Sequence, residues 1–182
     1  MLTRRGRRSG FTLPEVLTSV ALIGVLASVV VPAVRGRMED GYEDAVIQEF
    51  QSLSSAITAY RQDVGHYPPS LDYLSTLPAA PRDFCGHALG ANDIAKWSGP
   101  YTSRTITATY TIGQRDAVQL TLQRPATTAI GVQISGTDTS TARSIDNKID
   151  GINAPTAGTL RYTSSNGTTV MTYIIPLRAG AC

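Results

Sequence analysis

Apolar residues fill positions 11–34 almost without a break, then thin to a stripe, then alternate with polar ones. The first block holds twenty-four residues and one formal charge, Glu15. As a helix it would be roughly 36 Å long, enough to cross a bilayer core of about 30 Å. Beyond it, Met38, Tyr42, Ala45, Val46, Phe50, Leu53, Ile57, Tyr60 and Val64 recur at spacings of three and four, the stripe of an amphipathic helix. Glu39, Asp40, Glu43, Asp44, Gln48, Gln51 and Arg61 fill its other faces. The two patterns predict one helix over 12–62, about 75 Å long, whose second half packs on a sheet. Pro14 falls in the first turn, where a missing amide hydrogen costs little. Pro32, Gly36 and Gly41 are expected to bend or locally melt the middle. Gly65 followed by Pro68 and Pro69 ends the helix.

Residues 78–103 lack periodicity and carry Trp97-Ser98-Gly99-Pro100-Tyr101, whose aromatics either anchor a loop to the core or form a binding patch. Strand alternation follows over 105–112 through Ile106, Ala108, Tyr110 and Ile112. After a turn at 113–116 it resumes through Val118, Leu120 and Leu122, which predicts a hairpin. Residues 129–134 read as a third strand. Residues 139–149 read as a short helix with Ala142, Ile145 and Ile149 on one face and Asp138 or Thr139 as its cap. The tail, 160–177, is a second hairpin about Asn166-Gly167. A chain of 182 residues allows one domain beyond the apolar segment. The class is α+β, a long N-terminal helix on a C-terminal antiparallel sheet.

Charge orients this arrangement. Arg4, Arg5, Arg7 and Arg8 precede the apolar block and no acid occurs in the first ten residues, so that end stays cytoplasmic and the rest lies outside. Those four arginines exceed the net charge of +2. The remainder is nearly neutral or slightly acidic, which argues against a nucleic-acid partner. Cys85 and Cys182 both fall on the exterior side, where an even count favours one disulfide over two unpaired thiols. A secretory signal would have an apolar region of about 7–15 residues, shorter than this one, and Val31-Pro32-Ala33 is a poor cleavage site. Arg7-Arg8 suggests a twin-arginine signal, but the aromatic falls one place late. Neither ordinary signal accounts for Glu15, whose carboxylate would cost on the order of 2.5–3.5 kcal/mol at a membrane helix centre, less near the interface.

The run Arg7-Arg8-Ser9-Gly10-Phe11-Thr12-Leu13-Pro14-Glu15, ahead of an apolar helix, resembles the start of a type IV prepilin or pseudopilin. The resemblance implies that residues 1–10 are a leader removed after Gly10 by a prepilin peptidase on the cytoplasmic face. Phe11 would then be the N-methylated mature terminus. Glu15 would pair with the Phe11 ammonium of a neighbouring subunit and set axial register. The implied architecture is the pilin fold: 11–34 spans the membrane and later forms the filament core, 35–62 continues the helix, and 63–182 is globular. Asp63-Val64-Gly65-His66-Tyr67-Pro68 is similar to the Gly-x-Tyr-Pro turn of pseudopilins, and the Trp97–Tyr101 segment resembles the loop that enters their sheet. The implied partners are other pilin or pseudopilin subunits, the prepilin peptidase and methylase, an inner-membrane assembly platform, and membrane lipid before assembly. The implied location is the bacterial inner membrane with the C-terminal domain periplasmic, then the filament. A type II secretion pseudopilus is the leading reading, and a minor type IV pilin for adhesion, twitching or DNA uptake is the alternative. A membrane-tethered exterior binding domain that never polymerises belongs to a different class.

Catalytic patterns do not emerge. His66 and His87 are the only histidines, neither in HExxH, and no GxSxG, P-loop or CxxC occurs. Asp63 and His66 read as a helix-end contact. Asp146, Asp150 and Gly151 outline a weak calcium loop, with Asp138 able to approach, but Lys148 stands where an oxygen ligand is needed. The expectation is a non-enzyme without a cofactor, calcium being the weak exception.

Overall fold

The computed structural model describes residues 10–77, 79, 82–107, 109–112, 115–126 and 128–178. The chain divides into two compact units, Met1–Asp40 and Gly41–Cys182. Helix α1, Leu13–Val64, begins in the first and ends in the second.

Within the first unit the helix has no core to join. Its most apolar eighteen-residue window has a mean hydropathy of 2.3 and none of it is buried. By length and composition this helix can cross a membrane. Helical structure continues through Pro32 and Gly36, and on past Gly41, without the expected melting. Pro32 has no amide hydrogen to donate to the ladder of this continuous helix. Met38, expected on the buried stripe, is instead exposed.

In the second unit the stripe does what its spacing predicts. Tyr42, Val46, Phe50, Leu53, Ala56, Ile57, Tyr60 and Val64 are buried. The helix runs to Val64, two residues past the expected end, and Gly65 stops it at φ +84° with its amide donating to the Arg61 carbonyl at 2.9 Å. A 3-10 turn follows at Leu71–Leu74, then the four-residue helix α2, Ala91–Ile94.

The sheet comprises β1 (Thr109–Ile112), β2 (Arg115–Ala126), β3 (Ala129–Thr137), β4 (Leu160–Ser165) and β5 (Thr168–Pro176) in the order β1-β2-β3-β5-β4, antiparallel throughout. Helix α3, Thr139–Asp150, connects β3 to β4. Asp138 is its cap, accepting from the Thr141 amide at 2.8 Å. The central strand β3 buries Ile130, Val132 and Ile134; β4 adds Leu160 and Tyr162, and β5 adds Met171 and Ile175. All of them join one cluster with the α1 stripe, and Phe50 stacks on Tyr173 at 5.0 Å. Asn166 and Gly167, at φ 50° and 78°, form the tight turn expected between β4 and β5.

Three strand boundaries differ from the pattern. Strand β1 covers Thr109–Ile112, while the buried Ile106, expected within it, gives its amide to the Ser75 hydroxyl at 3.3 Å. Strand β2 begins at Arg115, inside the expected turn, and β3 continues past Ile134 to Thr137. Ala108, Gly113 and Gln114 lie outside the described residues.

Candidate functional site

The N-terminal site is built by helix capping. Thr12 precedes the first helical residue, and its carbonyl accepts from the amides of Glu15 and Val16 at 3.1 and 3.2 Å. Glu15 reaches back, its Oε2 accepting from both the Thr12 amide and the Thr12 hydroxyl at 3.3 Å. This is the back-bonding half of a capping box, legible in sequence as Thr-x-x-Glu but absent from the expectations. The carboxylate also sits where the helix dipole favours negative charge. Phe11 is 84% exposed and Gly10 is exposed, so the bond between them projects from the helix start. Residues 1–9 of the leader lie outside the described residues.

Elsewhere the expected contacts rearrange. Asp63 does not meet His66. Its Oδ2 accepts from the Ser98 hydroxyl and, at 2.9 Å, from the Tyr101 hydroxyl. The Ser98 bond, then that of Tyr101, holds the Asp63 carboxyl below its ordinary range. Trp97 donates Nε1–H to the Tyr73 carbonyl at 3.2 Å, and Tyr101 packs edge-on to Tyr60 at 5.7 Å. The Trp97–Tyr101 aromatics therefore anchor the loop to the core.

His66 turns to a different partner. Its Nδ1 lies 2.9 Å from Oδ2 of Asp83, and Nδ1 of His87 lies 3.1 Å from the same oxygen. The other Asp83 oxygen accepts from the His87 amide at 2.7 Å. Asp83 is buried; burial pushes its carboxyl up, but these three hydrogen bonds prevail and hold it below its ordinary range. Sequence reasoning dismissed both histidines for want of a motif. The only available hint was the spacing Asp83-x-x-x-His87.

Asp146 and Asp150 stand one turn apart on α3. Asp150 gives Oδ1 to the Thr159 amide at 3.0 Å and Oδ2 to the Leu160 amide at 2.9 Å. Burial pushes the Asp150 carboxyl up, yet those amides prevail and lower it. Asp146 is fully buried, with Oδ2 accepting from the Ala154 amide at 2.8 Å and Oδ1 without a hydrogen-bond partner. Burial, then the neighbouring Asp150, pushes its carboxyl up. Lys148 turns away to Glu43 at 2.9 Å and Asp44 at 3.0 Å. Glu43, assigned to a polar face by its spacing, is buried and also accepts from the Ser144 hydroxyl at 2.8 Å. Among the described residues, the one cluster of three or more His, Cys, Asp or Glu able to share a metal is His66, Asp83 and His87. Cys85 packs against the core in disulfide form, while Cys182 lies outside the described residues.

A long apolar helix start, a capping glutamate four residues after Phe11, and a helix-on-sheet domain define a pilin-like subunit. Residues 5–31 match the model of the prokaryotic N-terminal methylation motif. The type II secretion system core protein G of Aeromonas hydrophila is 32% identical over 105 residues, 54% of this chain and 73% of that protein. The protein of the same name in Escherichia coli K12 is 36% identical over 75 residues, 41% of this chain and 52% of that protein. That of Vibrio cholerae is 35% identical over 78 residues, 41% and 53% respectively. The chain belongs to the pilin/pseudopilin family, one of structural subunits rather than enzymes. It spans about half the length of most of the curated relatives it matches. No solved structure matches it significantly.

Proposed function

We propose that the protein is a structural subunit of a type II secretion pseudopilus, held in the inner membrane as a precursor and assembled through residues 11–34. The observation that carries this reading is the unburied apolar helix beginning at a matched methylation motif, in a chain whose relatives are named type II secretion system core protein G. The four leader arginines keep the cleavage site cytoplasmic and the globular domain periplasmic. A prepilin peptidase cuts between Gly10 and Phe11, and the new Phe11 amine is methylated. Leaving the bilayer exchanges lipid contacts for contacts with neighbouring helices, assisted by the inner-membrane assembly platform.

Glu15 supplies the register. Among the described residues its carboxylate is held by Thr12 at 3.3 Å, with bonds at the long end of the useful range. A neighbour's Phe11 ammonium is a better partner, because opposite charges in an apolar bundle attract strongly and either alone is costly. Glu15→Val should therefore leave leader removal intact. It should lower recovery in sheared filaments at least about tenfold, the equivalent of ~1.4 kcal/mol. Normal incorporation of this variant contradicts the register role. Deletion of the gene should abolish secretion. Loss of motility or transformation with secretion intact would instead indicate a type IV pilus, and a protein that stays monomeric beside its machinery would indicate a tethered binding domain.

A further inference from the structure

The two histidines of this chain converge on one buried carboxylate, an arrangement that neither the methylation motif nor the names of the relatives assigns. His66 follows the end of α1 by two residues. Asp83 and His87 belong to a short loop closed by the bridge between Arg82 and Ala88, and the Asp83 amide donates to the His87 carbonyl at 2.9 Å. One ligand atom from each of His66, Asp83 and His87 lies within 4.8 Å of the other two.

We propose that His66, Asp83 and His87 form a binding site for a divalent transition metal of the zinc class, stapling the end of α1 to the loop that carries Cys85. The distances suit it. Bonds of about 2.0–2.1 Å in a tetrahedron place neighbouring ligand atoms roughly 3.3 Å apart. The separations of Asp83 Oδ2 from the two Nδ1 atoms are 2.9 and 3.1 Å, within a few tenths of an ångström. Two imidazoles and one carboxylate select zinc-like ions over calcium, which wants six to eight oxygens.

Outer partners are in place as well. Asp93 Oδ2 lies 3.9 Å from Nε2 of His66, so when Nδ1 faces a metal the far side of that ring faces a carboxylate. The His87 amide fixes the remaining oxygen of Asp83. The Asp83 side chain is 2% exposed and that of His87 is 53% exposed, so the carboxylate is anchored while one side stays open for water as a fourth ligand.

The test is calorimetric titration of zinc into the full-length protein in detergent micelles, stripped by chelator and kept without reductant so that no thiol competes. The expected result is one zinc per chain, a raised melting temperature, and no displacement by excess calcium. His66→Gln and His87→Gln should each weaken binding by more than the roughly 10–100-fold that loss of an outer partner costs. In the wild-type protein, NMR should show zinc moving the imidazole signals of both histidines together, a readout independent of variant folding. Absence of saturable zinc uptake, uptake unchanged in both variants, or imidazole signals that do not respond would overturn the proposal.

Discussion

At the scale of single residues, Gly158 shows how closely α3 is tied to the strand after it. Its φ is +90°, and a Cβ there would stand 2.4 Å from Oδ2 of Asp150, the oxygen that accepts the Leu160 amide. Gly158→Ala should lower unfolding free energy by about 1–3 kcal/mol, read from urea melts, through strain and displacement of that carboxylate. Gly36, with nothing within 4 Å of its Cβ position and an ordinary helical φ, serves as the contrast: alanine there should not destabilise. Glu15 was legible because a charge in an apolar run is conspicuous at any resolution of reading. Glu43 was not. Its helical phase put it among solvent-facing acids, and only the arrival of α3 with Ser144 and Lys148 gives a buried carboxylate its partners.

Between elements, that same contact joins α1 to α3. Lys148 bridges Glu43 and Asp44, and hydrogen bonds to Glu43 first and Asp44 second hold its ammonium above the ordinary lysine range. A raised folded pKa means that the contribution is complete below the unfolded lysine value and is lost as pH rises through the folded one. Lys148→Met should cost about 1–3 kcal/mol at neutral pH, because the largely buried Glu43 loses a charged partner. That cost should shrink in strongly alkaline buffer and in the Glu43→Gln background. Helices α1 and α3, the hairpin from β4 to β5 and the central strand follow from periodicity and turn chemistry, since their cores face one side only. The start of β1 does not, because Ile106 alternates correctly yet spends its amide on Ser75, a contact thirty-one residues away that no local pattern encodes. The cluster of His66, Asp83 and His87 was hidden for the same reason: Asp83 lies seventeen positions after His66, beyond the 3-10 turn.

Over the whole molecule, we propose that Cys85 pairs with Cys182, tying the C-terminus to the loop that also holds Asp83 and His87. Such a bond closes roughly a hundred residues and contributes about 4–5 kcal/mol in the chain-entropy model. Cys85→Ser should lower stability by about that amount, and a non-reducing peptide map of the native protein should contain the linked pair. The domain's stability and the filament's cohesion then rest on separate devices. On these proposals the first would use the buried stripe, the sheet and the disulfide, and the second the unburied apolar helix and Glu15. The central claim is that this helix is cut at Gly10 and enters a filament, and its most direct test is the N-terminal peptide mass of protein recovered from membranes and from sheared surface material. The account requires a peptide beginning at methylated Phe11 in the sheared fraction. A start at Met1, or after Ala33, would mean ordinary anchoring or secretion and would contradict it.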